Sequence, residues 1–272
     1  MVIPAYAGAL NAERRRDVAL ITGASTGIGL DFARLMAPDF DLVITARNQS
    51  RLDQIANELQ SAHGGRVHAI AADLARPEAP EQLAAEISHR GLSVDVLINN
   101  AGFGAYGLFQ EIAAKTELEM IQVNISALTH LTGLFVAGMV DRKRGRIMNV
   151  ASTAGFQPGP LMAVYYATKA YVISFSEALA NELKPSGITV TCLCPGATAT
   201  EFAARADMEK SRLFKWNKMR SEDVARTGLK GMLKGQTLVI PGLKNWVMAE
   251  SVRFGPRKLV TAIARSVQER VE

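Results

Sequence analysis

Seven short runs rich in β-branched and apolar residues recur along the 272-residue chain, and longer stretches with helical periodicity lie between them. The runs are Val18–Thr22, Leu42–Thr45, Val67–Ala71, Val94–Asn99, Arg146–Val150, Ile188–Leu193 and Thr237–Ile240. The amphipathic stretches include Ser50–Ser61, Glu78–Arg90, Thr116–Met139 and Val164–Lys184. Strands alternating with helices force parallel pairing through right-handed crossovers. The near-continuous apolar content of the runs fits strands buried on both faces. This pattern predicts an α/β fold: a doubly wound parallel sheet of about seven strands with helices on both faces. No repeat or linker divides the chain. Residues 1–16 read as a tail, and 17–272 as a single domain. Within that domain, 200–235 read as helices inserted before the last strand, and 243–272 as a C-terminal extension.

Composition supports one sizeable core, with 48% hydrophobic and 21% charged residues. Charge is uneven. Residues 1–209 carry 17 Lys/Arg against 21 Asp/Glu, whereas residues 210–272 carry 14 against 5. The basic final quarter reads as a solvated helix surface beside a phosphate-rich ligand, in preference to a nucleic-acid or lipid contact. The only cysteines, Cys192 and Cys194, share one face of a strand and diverge poorly for bridging each other. That usage fits a reducing compartment, and the N-terminus lacks the cationic start of a signal peptide, so a cytoplasmic location is expected. No 18-residue apolar run stands out, so no membrane span is expected. Nothing calls for a metal.

After the first run comes Thr22-Gly23-Ala24-Ser25-Thr26-Gly27-Ile28-Gly29. Glycines let the backbone turn tightly and approach a pyrophosphate, and the helix opening near Ile28 turns its unpaired N–H groups on the anion. This makes the fold Rossmann-type, with Gly23, Ser25, Thr26, Gly27, Ile28 and Gly29 as candidate phosphate contacts. Ala46 stands at the end of the second strand, where an acidic residue would bind the 2′-hydroxyl of NAD, and Arg47 follows. A guanidinium there pairs with the 2′-phosphate of NADP, and Arg51 offers a second charge.

The spacing Thr-Gly-x-x-x-Gly-Ile-Gly, together with Tyr165-Tyr166-Ala167-Thr168-Lys169, resembles the short-chain dehydrogenase/reductase family, in its shorter single-domain branch. The likeness covers about residues 17–242. It implies an NADP(H)-dependent oxidoreductase interconverting a carbonyl and an alcohol. It also implies adenine-side contacts from Asp73 and Leu74 and from Asn100, Ala101 and Gly102. Contacts to the nicotinamide and diphosphate would come from Pro195, Gly196, Thr198 and Thr200, although the family more often has Val or Ile at 198.

Tyr165 and Lys169 are four apart and share a helix face, while Tyr166 points about 100° away. The family's Tyr-x-x-x-Lys pattern assigns catalysis to Tyr165 and leaves Tyr166 to packing. An ammonium beside the phenol should lower its pKa and help it exchange a proton with the substrate oxygen. Lys169 should also bond the nicotinamide ribose. By resemblance Ser152, rather than Thr153, binds the substrate oxygen. The same resemblance implies that Asn124 disturbs its helix and holds a water that relays protons to the lysine.

Substrate contacts are expected from Phe103, Tyr106, Phe156, Leu161 and Met162 in loops. Further contacts are expected from a lid containing Phe202, Met208, Leu213, Phe214 and Trp216, and from Trp246–Val271. Such a lining favours an apolar small-molecule ketone, aldehyde or secondary alcohol. The amphipathic C-terminal stretch reads as a helix docked on protein in preference to a membrane surface. The family likeness implies a homodimer or homotetramer that pairs Thr116–Met139 and Val164–Lys184. The competing reading is a non-catalytic NADP(H)-binding sensor or scaffold on the same fold, which would typically have lost Tyr165, Lys169 or Ser152.

Overall fold

In the computed structural model, which describes residues 15–202 and 218–269, β1 (Val18–Thr22) is buried along its whole length. It pairs on one side with β2 (Asp41–Ala46) and on the other with β4 (Val94–Asn99). The sheet is completed by β3 (Val67–Ala71), β5 (Gly145–Val150), β6 (Ile188–Leu193) and β9 (Leu238–Val239). Its seven strands run in the order β3-β2-β1-β4-β5-β6-β9, every pair parallel. The chain builds outward from β1 through β3, then returns to start again at β4. That reversal opens a crevice beyond the carboxyl ends of β1 and β4, where open α/β sheets bind ligands.

Helices cover both faces. One core layer joins Phe32 and Met36 of α1 (Gly27–Met36), Leu52 and Ile55 of α2 (Gln49–His63), and Val224 and Leu229 of α7 (Ser221–Leu233). The other joins Leu83 and Ile87 of α3 (Ala79–His89), Leu131 and Met139 of α5 (Leu128–Asp141), and Leu179 of α6 (Ala163–Leu183). Each fully buried side chain of this size contributes roughly 1.5–3 kcal/mol. Local signals set the helix ends. Asn48 caps α2 by accepting from Arg51 N at 3.0 Å, and Gly64, at φ +68°, ends it in the left-handed conformation.

Three details differ from the sequence reading. The last strand is only Leu238–Val239, because it meets β6 solely at Cys192 and Leu193. A two-residue parallel pair, β7 (Thr198–Ala199) with β8 (Met219–Arg220), stands apart from the main sheet. The long helix is continuous from α4 (Ala114–Ile121) through α5, but Gln122–Ala127 between them is a π-helical turn. By length and composition this run of 28 residues also reaches what a bilayer span needs. Met120, Ala127, Leu128 and Leu131, however, pack it into the core of the fold.

A buried polar network ties the two central strands to these helices. Asn99 Nδ2 donates to Thr132 Oγ1 at 3.0 Å and to Asn149 Oδ1 at 2.9 Å, and Asn149 Nδ2 donates to Ser176 Oγ at 2.9 Å. Buried polar groups are held inside by such pairing, although Asn99 Oδ1 finds no hydrogen-bond partner among the described residues. Cys192 and Cys194 are free and buried, their sulfurs 3.7 Å apart on one strand face.

Candidate active site

The crevice is held shut at its base by Thr22, the last residue of β1. Its Oγ1 accepts from the backbone N–H of Asn100 and of Ala101, both at 2.9 Å, and donates to Ile98 O. The Asn100 carboxamide donates back to Thr22 O at 2.9 Å and Gly23 O at 3.2 Å. Asn100 therefore braces the glycine turn. Gly23 and Gly27 adopt φ of +65° and +55°, where a side chain is strained. A Cβ on Gly29 would lie 2.3 Å from Gly23 O, so the first helix can approach the turn this closely only without one. Thr26, the N-cap of α1, makes no side-chain cap bond, which leaves the helix's first N–H groups to a ligand.

From this turn a cavity of about 850 Å³ runs to the start of α6. Gly23, Ser25, Thr26, Gly27 and Ile28 form one end of its wall. Arg47, Asp73 and Leu74 follow from the ends of β2 and β3, and Asn100, Ala101 and Gly102 from the end of β4. Ser152, Tyr165 and Lys169 stand at the other end, with Pro195, Gly196, Thr198 and Thr200 opposite. Thr200 closes on the glycine turn, since a Cβ on Gly27 would lie 2.9 Å from its Cγ2.

Three of the expected catalytic and cofactor-binding residues lie outside that wall: Gly29, Arg51 and Asn124. Gly29 acts by close packing. Arg51 is exposed on α2 and turns its guanidinium to Gln54 on its own helix, 3.4 Å away. Asn48, Gln157, Glu119 and Glu201 line the cavity although the sequence reading passed over them. Only Asn48 carried a signal, as an N-cap residue directly after Arg47.

Tyr165 and Lys169 lie on one face of α6 as their spacing requires, with Lys169 Nζ 5.8 Å from the centre of the Tyr165 ring. Nζ donates to Val150 O at 2.9 Å. Burial brings the Lys169 pKa down to about 8, with Cys192 and Cys194 acting in the opposite direction. The expectation of a lowered Tyr165 pKa is corrected. Burial pushes the phenol up to about 12, and the opposing influence is its hydrogen bond with Ser152, not the ammonium. The reason is distance and solvation: the phenol is enclosed, while the lysine charge is directed at a carbonyl.

Asn124 sits within the π-helical turn. Its Oδ1 accepts from Phe103 N at 3.1 Å, and its Nδ2 donates to Phe103 O and to Thr168 Oγ1, each at 3.0 Å. The helix is thus disturbed at the residue the family likeness named, and the side chain pins the loop after β4. A Cβ on Gly102 would lie 3.0 Å from Asn124 Oδ1 and 3.4 Å from Lys169 Nζ, so both polar groups border one small space. Ser152 Oγ accepts from Ala154 N at 3.1 Å and lies 3.4 Å from Pro195 O. Thr153 also lines the cavity, its N–H fixed to Pro195 O at 2.8 Å.

Tyr166 packs edge-on to Tyr165, with ring centres 6.1 Å apart, and Gly159 lies against its ring. The Phe202 ring lies 5.3 Å from that of Tyr165. Phe103, Met162 and Phe202 line the cavity, whereas Tyr106, Phe156 and Leu161 do not. The expected lid residues Met208, Leu213, Phe214 and Trp216 lie outside the described residues.

The wall fits a nicotinamide dinucleotide. It has a cradle that only glycines permit, an open helix N-terminus for the pyrophosphate, and Tyr165 and Lys169 farther along the same cavity. The chain belongs to the short chain dehydrogenase family, whose model matches residues 17–211. Its class is therefore that of the short-chain dehydrogenases, built on a Rossmann-type fold.

Among solved structures it is similar to a short-chain dehydrogenase from Sphingobium yanoikuyae in complex with NADPH. The two are 34% identical with a TM-score of 0.79, over 88% of this chain and 94% of that one. The bulky-bulky ketone specific alcohol dehydrogenase of Comamonas testosteroni is 29% identical with a TM-score of 0.76, over 89% and 94%. A very-long-chain 3-oxoacyl-CoA reductase of Phaeosphaeria nodorum is 38% identical over 181 residues. That match takes in 64% of this chain but spans only about half, 53%, of the relative's own length.

Proposed function

We propose that this protein is an NADP(H)-dependent reductase of ketones or aldehydes, with Tyr165 as the proton donor. The observation that carries the reading is one continuous cavity. It joins the glycine turn and Arg47 at one end to Tyr165, Ser152 and Lys169 at the other. The reduced nicotinamide, when bound, supplies hydride to the carbonyl carbon. A phenol with its pKa near 12 is fully protonated at neutral pH, so Tyr165 Oη–H donates to the substrate oxygen as charge develops there. The Ser152 hydroxyl holds that oxygen in place. Lys169, with its pKa near 8, gives up a proton readily near neutrality and adjoins the phenol that needs one back. Lys169 Nζ would also hold the nicotinamide ribose.

Preference for NADP rests on Ala46 and Arg47, since no carboxylate stands at the end of β2 to repel a 2′-phosphate. The NADPH in the Sphingobium relative agrees. An apolar substrate is supported by Phe103, Met162 and Phe202 around Tyr165, and by relatives named for bulky ketones and very-long-chain acyl groups. A dimer through α4–α5 and α6 is supported by Leu118, Ile121, Leu134 and Tyr171, exposed on those helices.

The test is NADPH oxidation across a panel of ketones and aldehydes, with wild type and Tyr165→Phe compared. Turnover should vanish in the variant while NADPH binding, followed by nicotinamide fluorescence, persists. Undiminished turnover in the Phe variant overturns the assignment.

A further inference from the structure

Beyond β9 the chain forms α8 (Leu243–Ser251) and α9 (Arg257–Gln268), and α9 has an unusual surface. Leu259, Val260, Ile263, Ala264 and Val267 fall at helical spacing on one stripe. All five line the cavity that leads to Tyr165. A stripe packed on a core is buried, as in α7, where Val224, Leu229 and Met232 are at most 5% exposed. On α9, by contrast, Leu259 and Ile263 are each 55% exposed and Val267 40%. Among the described residues, none covers these side chains, which border the hollow of the site. Among the described residues of α9, Arg257, Lys258 and Arg265 take no part in that wall. The helix is tethered at its far end, where Tyr106 Oη donates to the backbone oxygen of buried Gln268 at 2.9 Å.

We propose that α9, with Met248 and Val252 before it, is the wall of a subsite for an uncharged hydrocarbon tail on the carbonyl substrate. The proposal rests on the reading of Tyr165 as the proton donor. A tail leaving the carbonyl along this wall covers the exposed stripe, and each methylene it buries gains about 0.8 kcal/mol. The stripe belongs to the same hollow as Tyr165, which favours substrate over a second copy of the chain or a lipid surface as its cover.

The test is a series of 2-alkanones, from 2-butanone to 2-tridecanone, assayed by NADPH oxidation. In the wild type, kcat/KM should climb about fourfold per methylene over part of the series. In Leu259→Ser/Ile263→Ser the preference for 2-tridecanone over 2-pentanone should fall about tenfold or more. Arg265→Gln, off the stripe, should keep the wild-type slope. Displacement of a long-chain alkyl fluorophore by dodecanol gives a readout without turnover and should weaken in the double variant. Val267→Ser serves if the double variant does not fold. A wild-type slope that is flat, or unchanged in the stripe variants, overturns the subsite. So does a change in solution mass with the slope intact, which would assign the stripe to a second copy. If no ketone of any length turns over but the fluorophore binds and is lost in the variants, the subsite stands and the reaction reading fails.

Discussion

Replacing Lys169 by methionine isolates what it costs to bury an ammonium at the reacting centre. Lys169 is 6% exposed, and burial lowers its pKa from 10.5 to about 8. One pKa unit corresponds to 1.36 kcal/mol, so the charged form burdens the fold by about 3 kcal/mol. The sign follows from the two states. Below pH 8 the lysine is protonated both folded and unfolded, and the whole cost is present. Between pH 8 and 10.5 the folded protein sheds the proton first and gains stability relative to the unfolded chain. Above 10.5 the cost is gone. Methionine carries no charge but leaves Val150 O without its 2.9 Å donor, a loss of about 1–3 kcal/mol that does not vary with pH. Lys169→Met should therefore equal the wild type or exceed it by up to about 2 kcal/mol at pH 7. The difference should move about 3 kcal/mol in favour of the wild type by pH 10.5. Tyr165, raised to about 12, titrates in both proteins and cancels in the comparison. Urea unfolding followed by circular dichroism at pH 7, 9 and 10.5 measures this. A stability difference that stays constant with pH, or moves the other way, refutes the argument. The variant should be inactive at every pH.

Three other perturbations test the rest of the site. Arg47→Glu should weaken NADPH binding roughly tenfold or more, the loss of one charge-assisted contact, and shift preference toward NADH; equal ratios of kcat/KM for the two cofactors before and after would count against Arg47. Gly29→Ala places a methyl 2.3 Å from Gly23 O, so the glycine turn must move, and NADPH titration should show affinity falling by about tenfold or more while the fold persists. Asn149→Ala removes one bond each from Asn99 Nδ2 and Ser176 Oγ, which keep Thr132 Oγ1 and Val172 O, and chemical denaturation should show a loss of about 0.5–1.5 kcal/mol for each bond removed. An unchanged midpoint would mean that the network adds nothing to stability.

Local chemistry made much of this legible in advance. Strand runs are apolar because parallel strands are covered on both faces, so all seven main-sheet strands begin and end within one residue of where the sequence places them. The glycine turn and the Tyr165–Lys169 spacing are likewise local geometry. Asn124 was named only through a family likeness, and the π-helical turn around it gives the physical reason for that likeness.

What sequence could not supply depends on distances between elements. The direction of the Tyr165 pKa shift differs from the expectation because one-dimensional spacing shows the ammonium beside the phenol and hides both the enclosure of the phenol and the Val150 carbonyl that accepts the lysine's hydrogen bond. Arg51 read as a second charge beside Arg47, yet one turn of helix carries it out of the cavity and onto Gln54. The pairing of Asn99 with Asn149 joins residues 50 apart. The amphipathic stripe of α9 was plain in the sequence. That it faces the hollow around Tyr165 follows only from where the sheet ends and the chain turns back. The sequence by itself determined the sheet, the turn and the reacting pair, because each is set by neighbours within a few residues. The tertiary structure alone decided the charge states and the walls, because those depend on what packing leaves dry and what it leaves open.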